Sequence, residues 1–394
     1  MKTIGLVLPS ASGYSETFFF NKIKGLQANG FTVVLFVNDD NTGVNDPSIK
    51  IKVAPKLSGS FVRVAVLSVY LLIRSLLFHF KVSTKLYNLD KRDGIGFKDR
   101  IKHIIGNVHI FSESLDWLHF GFGTMALGRE HVAAAIGAKM AVSFRGFDIA
   151  IYPIKHPNCY EKLWKNLDKI HVISDDIKDL VYKHGFKDEA ELVKITPAID
   201  ISFFENRKEV NLGKTIHFIT IARLHWKKGL DYTLEALSML KQQGIHFKYT
   251  IIGEGSEYER LQFTAFQLGL TDVVVFMGKL PHGQVKQALE NADIYLQYSI
   301  QEGFCNSVLE AQAMGLLCVV SDAEGLSENV IDEQTGWVVP KRQPKLLVLK
   351  LVEIITLTKE KQETISKQAQ AHVKQHFSLQ QQQASFKLFY LIIC

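Results

Sequence analysis

Two carboxylates, Glu302 and Glu310, flank a loop and a helix start in the stretch QEGFCNSVLEAQAMG, with seven residues between them and no other charge. Upstream, ARLHWKKG places Arg223, Lys227 and Lys228 between an apolar strand pattern and a helix pattern. Cations at a helix start oppose the helix dipole, and a bound anion would reverse that penalty. A diphosphate held by Arg223, Lys228 and the free amides of the helix start would satisfy charge and donors together. The alternative is a solvated surface pair. For Glu310 the alternative is specific, because Ser307-x-x-Glu310 has the form of a capping box, in which the Glu only satisfies a backbone amide. Glu302 has no such explanation, and the adjoining Gly303 points to close approach of the backbone to something. Two further loops carry weaker signals: Gly253-Glu254-Gly255, where an ordinary turn explains the glycines equally well, and Gly278-Lys279-Leu280. Neither has the G-x-G-x-x-G spacing of a dinucleotide fingerprint.

The elements that must position these residues alternate between strand and helix. In the second half, strands Ile216 to Ile221, Tyr249 to Ile252, Val273 to Met277, Ile294 to Gln297 and Leu317 to Ser321 are separated by helical runs at Glu257 to Leu268, Gln284 to Asn291 and Ser307 to Met314. That grammar predicts a doubly wound parallel sheet, with ligands at the carboxyl ends of the strands. The first half reads the same way. Its strand patterns are Ile4 to Leu8, Phe31 to Val37, Asn107 to Phe111, Lys139 to Phe144, Lys169 to Ile173 and Leu192 to Thr196, with helical patterns at Ala126 to Ile136 and Asp176 to His184. A polar stretch from Pro197 to Lys214 separates the halves. We therefore expect an N-terminal domain over 1–200, a second, ligand-binding domain over 201–375, and a helical run over 376–394 that crosses back to the first domain.

A length of 394 residues suits two such domains, and 47% hydrophobic with 22% charged residues excludes a disordered or fibrous chain. Cys159, Cys305, Cys318 and Cys394 form no C-x-x-C pair, and KTIGLVLPS reads as a buried strand, so a reducing, cytoplasmic location is expected.

The pair Glu302 and Glu310, followed by Ala311-x-Ala313-x-Gly315, resembles the retaining family 4 glycosyltransferases of the GT-B fold. The resemblance continues in order through ARLHWKKG, IIGEGSEYERL, FMGKL, ADIYLQYS, EGFCNSVLEAQAMG and TGWVVP, and it covers the second half. It implies an α/β chain of GT-B architecture, with two Rossmann-like domains facing a central cleft. Arg223 and Lys228 match the residues that hold the donor diphosphate and stabilise the leaving group. Glu310 matches the carboxylate on the nucleotide ribose, and Glu302 the one on the transferred sugar. The resemblance further implies that the backbone of Gly303, Phe304 and Cys305 approaches the phosphates or sugar, that Lys279 and Leu280 border the base, and that Gly253 lines the donor site. In the first half the match is looser. Gly13 fits a loop facing the donor phosphates, and Trp117-Leu118-His119-Phe120-Gly121 resembles an HFG element whose histidine lies at the reaction centre. Arg145 stands where relatives more often carry His, and Glu324-Gly325 where they often carry two glycines. No cofactor or metal is implied, since Arg223 and Lys228 supply the countercharge to the nucleotide diphosphate sugar and no Asp-x-Asp motif occurs. The expected activity is retaining transfer of a hexose to a saccharide or lipid-linked saccharide acceptor in polysaccharide biosynthesis. A sugar-nucleotide epimerase and a non-catalytic partner subunit are the alternatives.

The net charge of +6 is unevenly placed: between Lys50 and His103 eight Lys and four Arg face only Asp90, Asp93 and Asp99. Within it, FVRVAVLSVYLLIRSLLFHFK, residues 61–81, sets Arg63, Tyr70, Arg74 and Lys81 along one helical stripe among apolar residues. This predicts a helix in peripheral contact with a membrane interface, or a core helix with snorkelling arginines. No uncharged apolar run of spanning length occurs, which argues against a transmembrane helix. No base-stacking or groove-reading motif accompanies the charge, so nucleic acid is not an expected partner.

Overall fold

The computed structural model describes residues 2–10, 16–39, 49–205 and 212–391. The chain divides into two compact units, Met1–Ile195 together with Gln383–Cys394, and Thr196–Gln382. The chain thus passes from the first unit to the second at Ile195/Thr196 and returns at Gln382/Gln383.

The first unit is built on seven parallel strands: β1 (Thr3–Leu8), β2 (Thr32–Val37), β3 (Lys50–Val53), β4 (Trp117–Phe120), β5 (Lys139–Phe144), β6 (Lys169–Val172) and β7 (Glu191–Lys194). Their order is β3-β2-β1-β4-β5-β6-β7, so the winding reverses beside β1. β1, β2, β4 and β5 are almost wholly apolar and buried, as strands covered on both faces must be.

Three expectations fail in this unit. Asn107 to Phe111 is no strand: Asn107 ends helix Phe97–Asn107, and Val108, Ile110 and Phe111 form a buried turn in which the Ile110 amide donates to the Asn107 carbonyl at 2.9 Å. The strand that runs beside β1 is instead WLHF. The run Ala126 to Ile136 is two short helices, Gly123–Ala126 and Val132–Ile136, separated at Gly128, whose φ is +72°. Residues 61–81 do not form one helix. Helix Phe61–Phe78 ends at His79, whose backbone (φ −133°, ψ 33°) redirects the chain into helix Phe80–Arg92.

Helix Phe61–Phe78 has a mean hydropathy of 2.0 and is long and apolar enough to cross a membrane. The core-helix reading of this segment fails, because only Leu71 and Ser75 are buried.

The second unit carries β8 (Ile216–Ile221), β9 (Phe247–Ile252), β10 (Val274–Phe276), β11 (Ile294–Gln297), β12 (Leu317–Ser321) and β13 (Trp337–Val339), all parallel, in the order β10-β9-β8-β11-β12-β13. The reversal here lies between β8 and β11, where open α/β sheets place their ligands. Helix Leu230–Gln242 covers one face through Leu230, Leu234, Leu237 and Leu240. The expected C-terminal helical run is two helices, Lys359–His376 and Leu379–Tyr390, parted at Phe377 and Ser378.

Candidate functional site

The loops after β8 and β11 meet at that reversal. Leaving β8, the chain turns through a short 3₁₀ segment, Trp226–Lys228, into helix Leu230–Gln242. Gly229 makes the turn possible: its φ is +59°, and a Cβ there would lie 2.2 Å from the Tyr298 carbonyl oxygen at the end of β11. The Ile300 and Gln301 amides donate to the Lys227 carbonyl at 2.6 and 3.3 Å. The two loops are therefore joined through backbone, and Lys228 is delivered directly to Glu302. Its ammonium makes an ion pair with Glu302 Oε2, with only 15% and 14% of the two side chains exposed. Burial opposes the charged form of Lys228, but Glu302 outweighs it and raises its pKa above the ordinary value. Arg223 is exposed and near enough to act against the Lys228 charge. The lysine at the helix start is thus neutralised by a carboxylate from the neighbouring loop.

Glu302 is in turn held by a buried polar ladder. Tyr295, Gln297 and Ser299 alternate along β11 and its end, all fully buried. Tyr295 Oη donates to Gln297 Oε1 at 3.0 Å, Gln297 Nε2 donates to Ser299 Oγ at 2.8 Å, and Ser299 Oγ donates to Glu302 Oε2 at 3.4 Å. Buried polar side chains of this kind are retained only when satisfied. Glu324 completes the support, accepting the Glu302 amide at 2.9 Å. Glu324 thereby fixes the loop that aims Glu302.

Glu310 lies in helix Asn306–Ala313, whose N-cap is Cys305. The capping-box reading therefore fails. Ser307 stands two residues past the N-cap, and its hydroxyl donates to the Ile221 carbonyl at 3.0 Å. The helix start is held by Asn329, which accepts the Cys305 amide at 3.0 Å and donates to its carbonyl at 3.2 Å. Glu310, freed from capping, lies 3.8 Å from His282 Nε2 and raises the pKa of that histidine. His282 begins helix His282–Glu290 and stacks on Phe203, with ring centroids 4.9 Å apart and planes 5° apart. Burial raises the Cys305 thiol pKa to about 11, so it stays protonated.

The remaining expected residues divide. Gly303 and Phe304 are buried in the loop between the two carboxylates, the Phe304 ring packing on Phe377 at 5.6 Å, so only backbone is available to a ligand there. Lys279 is exposed and Leu280 half-buried, both just before His282. Gly253 has φ +141°, and a Cβ would fall 1.8 Å from the Ala222 carbonyl oxygen. Its glycine is required by packing of one loop on the next, without any ligand. Gly13 lies outside the described residues.

His119 is engaged within the first unit. It sits within β4, fully buried, with Nε2 2.7 Å from Ser143 Oγ and Nδ1 2.6 Å from Tyr390 Oη. Both ring nitrogens are thus occupied inside the first unit's core, and burial holds the ring neutral with a pKa well below the usual range. In this geometry neither ring nitrogen of His119 is open to a substrate. Arg145, the other departure, stacks over the Phe18 and Phe19 rings at 3.9 and 4.8 Å.

Sequence reasoning missed His282, Asn329 and the β11 ladder, and marked Glu324 only as a departure from the family pattern, without a role. The ladder had a signal, polar residues at every second position of an otherwise apolar strand. The other three are single residues from loops and helix ends, and nothing in the spacing links them to the site.

The model for glycosyl transferases group 1 matches residues 202–372, the region that holds every part of this arrangement. The chain is 30% identical over 270 residues to the putative colanic acid biosynthesis glycosyltransferase WcaL of Salmonella typhimurium. The chain belongs to the group 1 glycosyltransferases. The match to the Salmonella protein covers 66% of this chain and 66% of that relative, just under two thirds of its length. The amylovoran biosynthesis glycosyltransferase AmsK of Erwinia amylovora is 28% identical over 260 residues, 64% of this chain and 63% of that one. Among solved structures, Anabaena HepE in complex with UDP superposes with a TM-score of 0.74 at 15% identity, covering 99% of both chains. The fold of this group 1 glycosyltransferase is accordingly GT-B.

Proposed function

We propose that this chain is a retaining glycosyltransferase that moves a hexose from a nucleoside diphosphate sugar to a saccharide or lipid-linked saccharide acceptor in polysaccharide biosynthesis, without a metal ion. The observation that carries the reading is the Lys228 and Glu302 pair at the reversal between β8 and β11, with Arg223 alongside and Glu310 nearby in the same segment. The names of the Salmonella and Erwinia relatives support the polysaccharide role, and the UDP in the Anabaena structure's description supports a nucleoside diphosphate donor. Among the described residues Cys159, Cys305 and Cys318 form no disulfide, which supports a cytoplasmic location.

In this reading the diphosphate takes Lys228 partly from Glu302 and adds Arg223, so that two cations meet the charge that grows on the departing phosphate. Glu302, released, turns to the sugar hydroxyls. Glu310 accepts hydrogen bonds from the ribose hydroxyls, with His282 holding its carboxylate. The bond from the anomeric carbon to the diphosphate oxygen breaks, and a bond to the acceptor oxygen forms on the same face. The acceptor's proton passes to the departing phosphate oxygen. The protein's contribution is fixed charge rather than a covalent intermediate.

The test is a thermal-shift series with UDP-, GDP- and ADP-sugars on wild type and Lys228→Ala. One donor class should raise the melting temperature of the wild type by mass action and leave the variant unmoved. If no nucleoside diphosphate or its sugars shifts the wild type, the reading is wrong.

A further inference from the structure

Helix Phe61–Phe78 carries an outward face that no described residue covers. Val62, Val66, Val69, Ile73 and Leu77 recur at intervals of four, three, four and four residues, which on a helix is one strip about 22 Å long. All five are exposed, Val62 by 70% and Leu77 by 72%. Leu71 and Ser75 lie on the opposite side and are buried against the first unit. Arg63 and Arg74, three turns apart, lie together along one flank of the strip beside Tyr70. Contiguous apolar exposure of this extent marks an interaction site.

We infer that this face docks the protein on an anionic lipid bilayer, the helix lying in the plane of the interface with its apolar strip in the acyl boundary. Three observations select that occupant. The surrounding segment is strongly basic, and its few acids are committed within the protein: Asp90 is buried between His103 and His131, Asp93 pairs with His131 and Asp99 with Lys102. A second copy would bring two such basic surfaces together with no acidic rim to meet them, whereas acidic headgroups complement them. The helix is also tied to the first unit in its C-terminal half, where Leu71 and Ser75 are buried and Ser75 Oγ and Ser83 Oγ share a hydrogen bond of 2.6 Å with the following helix. A helix so held, with Arg74 well inside it, lies on the bilayer rather than crossing it. The arginines reach the headgroups from the flank while their stems follow the apolar strip.

The inference is independent of donor chemistry and is tested without it. Full-length protein is sedimented with vesicles of phosphatidylcholine alone or mixed with phosphatidylglycerol, at low and high salt. Wild type should bind the acidic vesicles, bind neutral ones at least tenfold more weakly, and weaken as salt rises. Val66→Ser with Ile73→Ser removes apolar contact at exposed positions where folding is not at stake. Arg63→Glu with Arg74→Glu reverses the flank. Each pair should reduce acidic-vesicle binding by roughly tenfold or more, with an unchanged melting temperature. Wild type that ignores acidic vesicles at low salt, or variants that bind like wild type, would overturn the inference. So would a dimer in sedimentation velocity that Val66→Ser with Ile73→Ser dissolves, in the absence of vesicle binding; that result would assign the face to a second copy.

Discussion

Glu302→Gln removes the countercharge of Lys228 while keeping the side chain's shape. Removing one member of a fully buried ion pair costs about 3–5 kcal/mol. Here both side chains keep some solvent, 15% and 14% exposed, which lowers the expected cost to about 2 kcal/mol for Glu302→Gln and about the same for Lys228→Met. The double variant leaves no unpaired charge, and its loss should be only about 1 kcal/mol, a coupling of roughly 3 kcal/mol. Urea denaturation of the four proteins measures this directly, with the singles melting about 4–8 °C lower. Nucleotide binding adds a second reading. In Glu302→Gln the lysine no longer has a competing carboxylate, so affinity for the nucleoside diphosphate should hold or tighten. Turnover should fall by an amount worth about 2–4 kcal/mol of barrier, because the sugar contact is lost. Calorimetric titration and initial rates on the same preparations give both values. Additive single variants, or a double variant less stable than either single, would refute a coupled pair. Weakened diphosphate binding in Glu302→Gln would refute the exchange of partners by Lys228.

Glu310→Gln should weaken nucleoside diphosphate binding by about 1.5–3 kcal/mol in a calorimetric titration while leaving the melting temperature nearly unchanged, since Glu310 caps nothing. His119→Gln should do the reverse: stability falls by about 1–3 kcal/mol as Ser143 and Tyr390 lose their partner, and the turnover of the folded fraction stays at the wild-type value. His282 gains a pKa above its unfolded value from Glu310, so its stabilising effect is complete below pH about 6.5 and disappears as pH rises through the folded pKa. With the side chain 53% exposed, the melting-temperature gap between wild type and His282→Asn should be small, under about 1 kcal/mol in stability, and larger at acid than at alkaline pH. Excess chelator should leave turnover unchanged in a donor-consumption assay; a strict divalent requirement would remove the countercharge role from Arg223 and Lys228.

The strands that define the site were legible because they are continuous apolar runs bounded by polar loops. Ile216–Ile221, Ile294–Gln297 and Leu317–Ser321 run between the same residues in sequence and structure. Strand β3, KIKV, was not legible, since four residues alternating with lysine at a sheet edge carry too little apolar signal. Asn107 to Phe111 misled for the opposite reason, a buried apolar turn with strand composition. In the site, residue types and spacing exposed Arg223, Lys228, Glu302 and Glu310. Their pairing was not legible, because it depends on Gly229 and the Lys227 carbonyl bringing together loops that are 74 residues apart at Lys228 and Glu302. His119 shows the limit of a motif in a loosely matched region. Its ring lies within the strand, and pleat direction and neighbours decided its role.

Tyr390 lies at the centre of the first unit, fully buried, with its hydroxyl on His119 and its carbonyl accepting Trp117 Nε1 at 3.3 Å and Lys2 Nζ at 3.2 Å. On the ribosome, this residue appears only after the whole of Thr196–Gln382 has been made, a wait on the order of ten to forty seconds at ordinary elongation rates. Throughout that interval the nascent first unit presents Trp117, His119 and Phe18 to solvent or to a chaperone, while the second unit gains its entire sequence before the first regains its last helix. Synthesis order and completion order are therefore inverted in this chain, and a stall or truncation before Gln383 damages the part of the protein that was translated first.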